Sequence, residues 1–175
     1  MGKQYERLSD FDIKFIKEQK LYFIASCSDQ EVNLSPKGYE SIYLHDDKTV
    51  YMLDFPGSGN RTASDIHKDG KITILFQAFE GKPRIVRLFC KGECIQKDEQ
   101  AFEVPYSHFD VQKDLIRQIF KFTIQTVESS CGMSIPYMNY EKERNELKDW
   151  ALIMSEKGEL KSYIDDHETP PVIKS

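Results

Sequence analysis

The sequence predicts an α+β fold, mainly β, in which a small antiparallel barrel carries flanking helices. Three observations predict it. Short apolar runs rich in aromatic and β-branched residues recur between Leu21 and Ile95. Turn residues separate them closely enough for local antiparallel pairing. Helical periodicity is confined to the start, one short insertion and the second half of the chain. The 175 residues accommodate one domain, 1–175, on a scale of about 100 to 200 residues per domain.

In chain order, Ser9 or Asp10 caps a helix to Lys20 with Phe11, Phe15 and Ile16 at helical spacing. Leu21 to Cys27 (LYFIASC) is too short for a helix core and reads as a buried strand. After a turn at Ser28 to Glu31, Val32 to Gly38 and Ser41 to Leu44 form a strand interrupted near Pro36 and Gly38. His45 to Asp47 tip a hairpin that returns as Thr49 to Asp54. Pro56 to Asn60 is a loop, and Arg61 to Lys68 a short helix closed by Gly70. Lys71 to Ala78 and Arg84 to Ile95 are further strands, the second with Gly92 as its expected bulge or bend. Val111, Leu115, Ile119 and Val127, widened by Ile116, Phe120 and Ile124, recur at about 3.6 residues and predict a long amphipathic helix stopped by Gly132. A second late helix is expected over 139–155 with Asn139 as cap. The C-terminal part, about 110–155, is therefore expected to be helical, and an extended tail is expected from Asp165 to the end, with Pro170 and Pro171.

Composition excludes several classes. With 39% apolar and 30% charged residues the chain is neither disordered nor collagen-like. A net charge of -5 argues against a broad basic face for nucleic acid, so any anion must be held locally. No run approaches the roughly 18 to 20 apolar residues that span a bilayer, and no membrane partner is expected. The opening MGKQYERLSD lacks the apolar run of a secretory signal, and Glu6 stands where a myristoylation motif prefers Ser or Thr, so cytoplasm is the expected address. Cys27, Cys90, Cys94 and Cys131 form no C-x-x-C pair and read as reduced thiols. No histidine neighbours Cys90 and Cys94, which favours structural use over a metal, and no metal site is expected. His45, His67, His108 and His167 are scattered and read as surface or packing residues.

The stretch richest in chemistry is GSGNRT, Gly57 to Thr62, with glycines and small polar residues just before a helix. Converging N–H groups and the fork of Arg61 suit an anion, although a plain loop with an exposed arginine has the same composition. It is not a P-loop, since no Gly-Lys-Ser/Thr ending follows. Asn33, Ser35 and Lys37 alternate along a strand and so share a face, supplying two hydrogen-bonding groups and a cation; a solvated strand face would look alike. Arg87 lies inside an apolar strand, where its charge needs a salt bridge or an anionic ligand.

VNLSPKG (Val32 to Gly38), TVYMLDFPGSGNRT (Thr49 to Thr62), KITILFQAFEGKPRIVRLFCKGE (Lys71 to Glu93) and SCGMSIPYMNYEKER (Ser130 to Arg144) resemble the pyridoxamine 5'-phosphate oxidase-like flavoproteins of the FMN-binding split-barrel superfamily. The resemblance covers most of the chain. It implies a homodimer of six-stranded antiparallel split barrels with FMN at each of two interface sites. It places the FMN phosphate on Arg61 and Thr62, with Ser58 and Asn60 in the preceding turn and Lys37 as a further cation. Asn33, Ser35, Leu53 and Asp54 would line the flavin, and Arg87 is the candidate from the later strand. The C-terminal arginine and histidine pattern by which the true oxidase recognises its phosphorylated pyridine is missing here, so vitamin B6 oxidation is not implied. Two readings follow: an FMN-dependent oxidoreductase acting on a small substrate, with reduced nicotinamide as a candidate donor, or a non-catalytic flavin- or small-ligand-binding or sensing protein.

Overall fold

Alternating buried and half-buried residues along β-strands 22–27 and 71–77 show how the aromatic and branched runs fold: a two-residue period turns one face of each strand inward. In the computed structural model, which describes residues 2–29 and 31–173, the elements run β1 (Lys3–Tyr5), α1 (Asp10–Glu18), β2 (Tyr22–Cys27), β3 (Val32–Lys37), β4 (Ile42–Leu44) and β5 (Thr49–Asp54). They continue with α2 (Arg61–His67), β6 (Lys71–Gln77), β7 (Ile85–Ile95), α3 (Glu103–Tyr106), β8 (Gln118–Ser130), α4 (Glu146–Glu156) and α5 (Leu160–Asp166). Gln30, within the expected turn, and the tail residues Lys174 and Ser175 lie outside the described residues.

All pairings are antiparallel, in the order β3-β2-β6-β7-β8-β5-β4 with β1 also on β8. The sheet curls until its ends approach. The Tyr22 hydroxyl on β2 meets the Ser41 hydroxyl just before β4 at 2.8 Å, and Ser41 donates in turn to the Gly38 carbonyl at 2.7 Å. The ends meet through these side chains rather than through a backbone ladder, which makes the barrel split. Its interior is filled by Ile24, Met52, Ile74, Phe76, Leu88 and Phe122, with α1 adding Phe15 and Ile16. Ser9 caps α1 in a reciprocal box with Asp12. Asp12 is fully buried and is bonded by Arg84 at 2.5 Å and by the Tyr5 hydroxyl at 2.7 Å. Burial opposes its charge, but the Ser9, Tyr5 and Arg84 donors hold the carboxyl below the usual carboxylate range.

The structure corrects five expectations. Among the described residues the strand count is eight rather than six, because β1 and β4 are three-residue additions and because Val111 to Val127 is not a helix. That segment is one 3₁₀ turn followed by the 13-residue β8. A register shift opposite Phe89 and Cys90 leaves Gln125 as an extra, exposed residue on β8, so the buried positions run Phe120, Phe122, Ile124 and then Val127. A strand with one bulge thus imitates helical spacing. Gly92 is not the bulge. A Cβ there would meet Ile66 Cγ1 at 2.8 Å, so any larger residue would make the Ile66 side chain or α2 shift away from β7. The late helix begins after Asn145 rather than at Asn139, because the Met138 and Tyr140 N–H groups bond the Phe79 carbonyl and Glu80 carboxylate and hold that stretch away from helical pairing. Asp165 and Asp166 close the short helix α5 instead of opening the tail.

Candidate functional site

β3 is an end strand of the sheet, and its two faces differ. Asn33, Ser35 and Lys37 lie on the half-buried face as expected, while Val32 and Leu34 on the other are 72% and 64% exposed. The Asn33 amide donates to Ser26 Oγ on β2 at 3.1 Å and to Thr62 Oγ1 on α2 at 3.2 Å, and the Ser35 hydroxyl donates to Asn33 Oδ1 at 3.4 Å. One turn further along α2, Asp65 accepts from the Ser26 and Ser28 hydroxyls at 2.6 and 2.7 Å. Gly70 completes the packing: a Cβ would stand 2.7 Å from the Asp65 carbonyl and 2.9 Å from that of Cys27. These contacts pin α2 against β2 and β3 and aim Arg61 along a groove of about 890 Å³, whose walls include Asn33, Leu34 and Asp65. Arg61 is 3.6 Å from the Glu31 carboxylate and donates to the Pro171 carbonyl of the C-terminal tail.

The Gly-Ser loop before α2 is held from below by Arg117, at the foot of β8. Its side chain is 6% exposed and donates to the Gly59 and Gly57 carbonyls at 3.3 and 3.1 Å, with Nη1 4.0 Å from Asp54 Oδ2. Gln118, next in the chain, donates to Asp54 at 2.9 Å and to Asn60 Oδ1 at 3.2 Å. Two loop carbonyls are thereby drawn down toward a guanidinium. Asp54 is buried, which pushes its carboxyl pKa up; the Gln118 hydrogen bond and the charges of Lys37 and Arg117 oppose that rise. Lys37, Asp54 and Arg117 therefore belong to one electrostatic neighbourhood, while Asn60 and Arg117 line a second pocket of about 730 Å³ next to α5.

The structure brings Asn33 and Arg61 together on the groove, ties Ser35 and Thr62 to Asn33 by hydrogen bonds behind its lining, and joins Asp54 to Asn60 through Gln118. Leu53 is buried with Ile95, Phe102, Ile116 and Ile119, and Ser58 is exposed at the loop tip. Arg87 takes the salt-bridge solution. It bonds Glu128 at 3.3 Å and Ser130 Oγ at 3.1 Å on neighbouring β8, and its contacts do not run to the groove. Sequence reasoning missed Arg117 and Gln118, which the helical reading of that segment placed on the wrong element. A strand start beside the end of β5 would have brought them to the loop. It also treated the histidines as scattered, yet His45 and His108 both pack on Tyr43, the latter stacked at 3.8 Å. Cys90 and Cys94 both pack with the barrel core, and burial pushes each thiol up to about 12.

A curled antiparallel sheet with a groove between an end strand and a pinned helix defines a small split-barrel protein. Family comparison gives it a place. Residues 13–131 match the family model described as pyridoxamine 5'-phosphate oxidase, and the chain belongs to that family. It is 32% identical over 152 residues to the pyridoxamine 5'-phosphate oxidase family protein ustO of Aspergillus flavus, a match covering 82% of this chain and 61% of that protein. The chain thus spans under two thirds of that relative's length. Among solved structures, a pyridoxamine 5'-phosphate oxidase homologue from Lactobacillus delbrueckii superposes with a TM-score of 0.54 at 15% identity, covering 70% of this chain and 98% of that one. HupZ of Group A Streptococcus gives 0.56 at 19% identity over 69% and 91% of the two chains. The FAD-binding protein of Mycobacterium smegmatis gives 0.52 at 10% identity over 72% and 97%. At these identities the structural likeness is one of fold. No helix among the described residues is long and apolar enough to cross a membrane.

Proposed function

We propose that the chain is an FMN-binding flavoprotein working as an FMN-dependent oxidoreductase on a small substrate, as a homodimer in the cytoplasm. The observation that carries this reading is the run of donors at the start of α2: Arg61 on the groove, Asn60 just before it, Thr62 held by Asn33, and a loop whose carbonyls are turned away toward Arg117. In an acidic protein a phosphate monoester needs such local cations and donors, and these residues fit one. Arg61 and Thr62 would hold the phosphate, with Asn60 and Ser58 in the turn. Lys37 would add charge, and Asn33, Ser35, Leu53 and Asp54 are the family resemblance's candidates for the ring; of these Asn33 lines the groove and Ser35 bonds to it, while Leu53 and Asp54 are buried outside its lining. A solved relative of the same fold is an FAD-binding protein, which supports a flavin as the phosphate's carrier.

When bound, FMN supplies two-electron or one-electron transfer at its ring; the protein's share is binding, orientation and exclusion of water. Reduced nicotinamide is the first donor to screen. Val32 and Leu34, exposed on an end strand beside the groove, support a second copy of the chain as the partner that covers them.

The test is the visible absorption spectrum of freshly purified protein, followed by mass spectrometry of whatever denaturation releases. A two-band flavin spectrum with FMN released is the expected result. Colourless protein that takes up no added FMN would overturn the reading. Protein that binds FMN but oxidises no nicotinamide or other reductant would instead favour a binding or sensing role.

A further inference from the structure

The donors assigned to the phosphate are already engaged by the chain itself. After α5 the backbone crosses the mouth of the groove, where the Asn60 amide donates to the Glu168 carbonyl at 3.2 Å and the Arg61 guanidinium donates to the Pro171 carbonyl. Thr169 to Ile173 line the groove opposite Asn33, Leu34 and Arg61. Carbonyl oxygens carry partial negative charge, so the tail offers Arg61 and Asn60 weak substitutes for phosphate oxygens. Two prolines stiffen it at the point of contact and lower the entropy lost on docking.

We infer that the segment Glu168–Ile173 is an intramolecular strap competing with the cofactor phosphate for Arg61 and Asn60, so that FMN must displace it to bind. This rests on the FMN reading of the groove. A phosphate carries formal charge and can take both arms of the guanidinium fork in a bidentate pair, which a single neutral carbonyl cannot match. Release also returns conformational freedom to about six tail residues. The strap therefore lowers apparent affinity without abolishing binding, and anything that captures the tail would raise it. Glu31, 3.6 Å from Arg61, is displaced in the same exchange.

The experiment uses the full chain and a full-length Pro170→Gly, Pro171→Gly variant, which keeps the carbonyls but loosens the strap. Affinities for FMN and riboflavin are read by flavin-fluorescence titration. Two proline-to-glycine changes are each worth a few-fold, so the variant should bind FMN about fivefold or more tightly, with a smaller gain for riboflavin. In the unsubstituted protein FMN should speed carboxypeptidase trimming of the C-terminus, and riboflavin should do so less. Equal or weaker FMN binding by the variant, or protection of the tail by FMN, would overturn the strap. If Arg61→Ala still lost FMN in that case, the FMN site would stand and the strap alone would fall. If neither protein took up FMN, both readings would fall together.

Discussion

Removing Arg117 should cost stability even without a ligand, and the size of the loss follows from what the side chain leaves behind. An Arg117→Met substitution keeps most of the buried volume but strips two bonds from the Gly57 and Gly59 carbonyls and the nearer cation from buried Asp54. A hydrogen bond from a charged group contributes about 1.5 to 3 kcal/mol net, and breaking a buried ion pair costs about 3 to 5 kcal/mol. Three features pull the sum down. The ion pair is long at 4.0 Å, Gln118 still donates to Asp54 at 2.9 Å, and the carboxyl, already raised by burial, can take up a proton. A loss of about 3 kcal/mol is expected, or about 6 to 12 °C in Tm at this chain length. Urea denaturation at neutral pH without flavin measures it. A loss below about 1 kcal/mol with an unchanged m-value would refute Arg117 as the anchor of the loop. Arg117→Lys should recover less than half, because an ammonium cannot fork onto two carbonyls.

Arg61→Ala should weaken FMN binding by roughly 10- to 150-fold, since the phosphate keeps its charge and loses a cation worth about 1.5 to 3 kcal/mol; unchanged affinity by flavin-quenching titration would remove Arg61 from the phosphate site. Lys37→Met should weaken FMN more than riboflavin, and equal losses would place Lys37 against the ring instead. Gly92→Ala should cost about 1 to 3 kcal/mol, because the added methyl would sit 2.8 Å from Ile66 Cγ1; a neutral result in thermal unfolding would show that α2 can shift. The carboxyl of Asp12 is held below its unfolded value near 3.9, so its contribution is present above that pH and is lost as pH falls through its folded value. Asp12→Asn should therefore be destabilising at pH 7 and progressively less so as pH falls below about 4, as read from urea curves at a series of pH values.

How legible each part was depends on how local its cause is. The runs at Leu21 to Cys27 and Lys71 to Ala78 are β2 and β6 because their own side chains are aromatic and branched, and α1 announces itself through Ser9 and its apolar spacing. The N-x-S-P-K strand and the G-S-G-N-R-T loop are likewise short motifs, and each contributes one residue, Asn33 and Arg61, to the groove lining. Val111 to Val127 failed because one bulged residue, Gln125, changes the phase of the strand, and the cause of a bulge lies in the partner strand. Its Thr, Ile, Val and Phe content was the β signal that periodicity outweighed. Arg87 could be read either way, since only the registry of β7 with β8 places Glu128 beside it.

The sequence by itself therefore determined the mainly antiparallel α+β character and the Gly-Ser loop that opens α2, because each depends on residues within about ten positions of one another. The tertiary structure alone decided that Arg117 and Gln118 underpin that loop from some sixty residues away, and that the tail, about 110 residues from Arg61, lies across the groove. Those meetings are made by sheet curvature and strand register, which arise from cross-strand packing and which no local window of sequence contains.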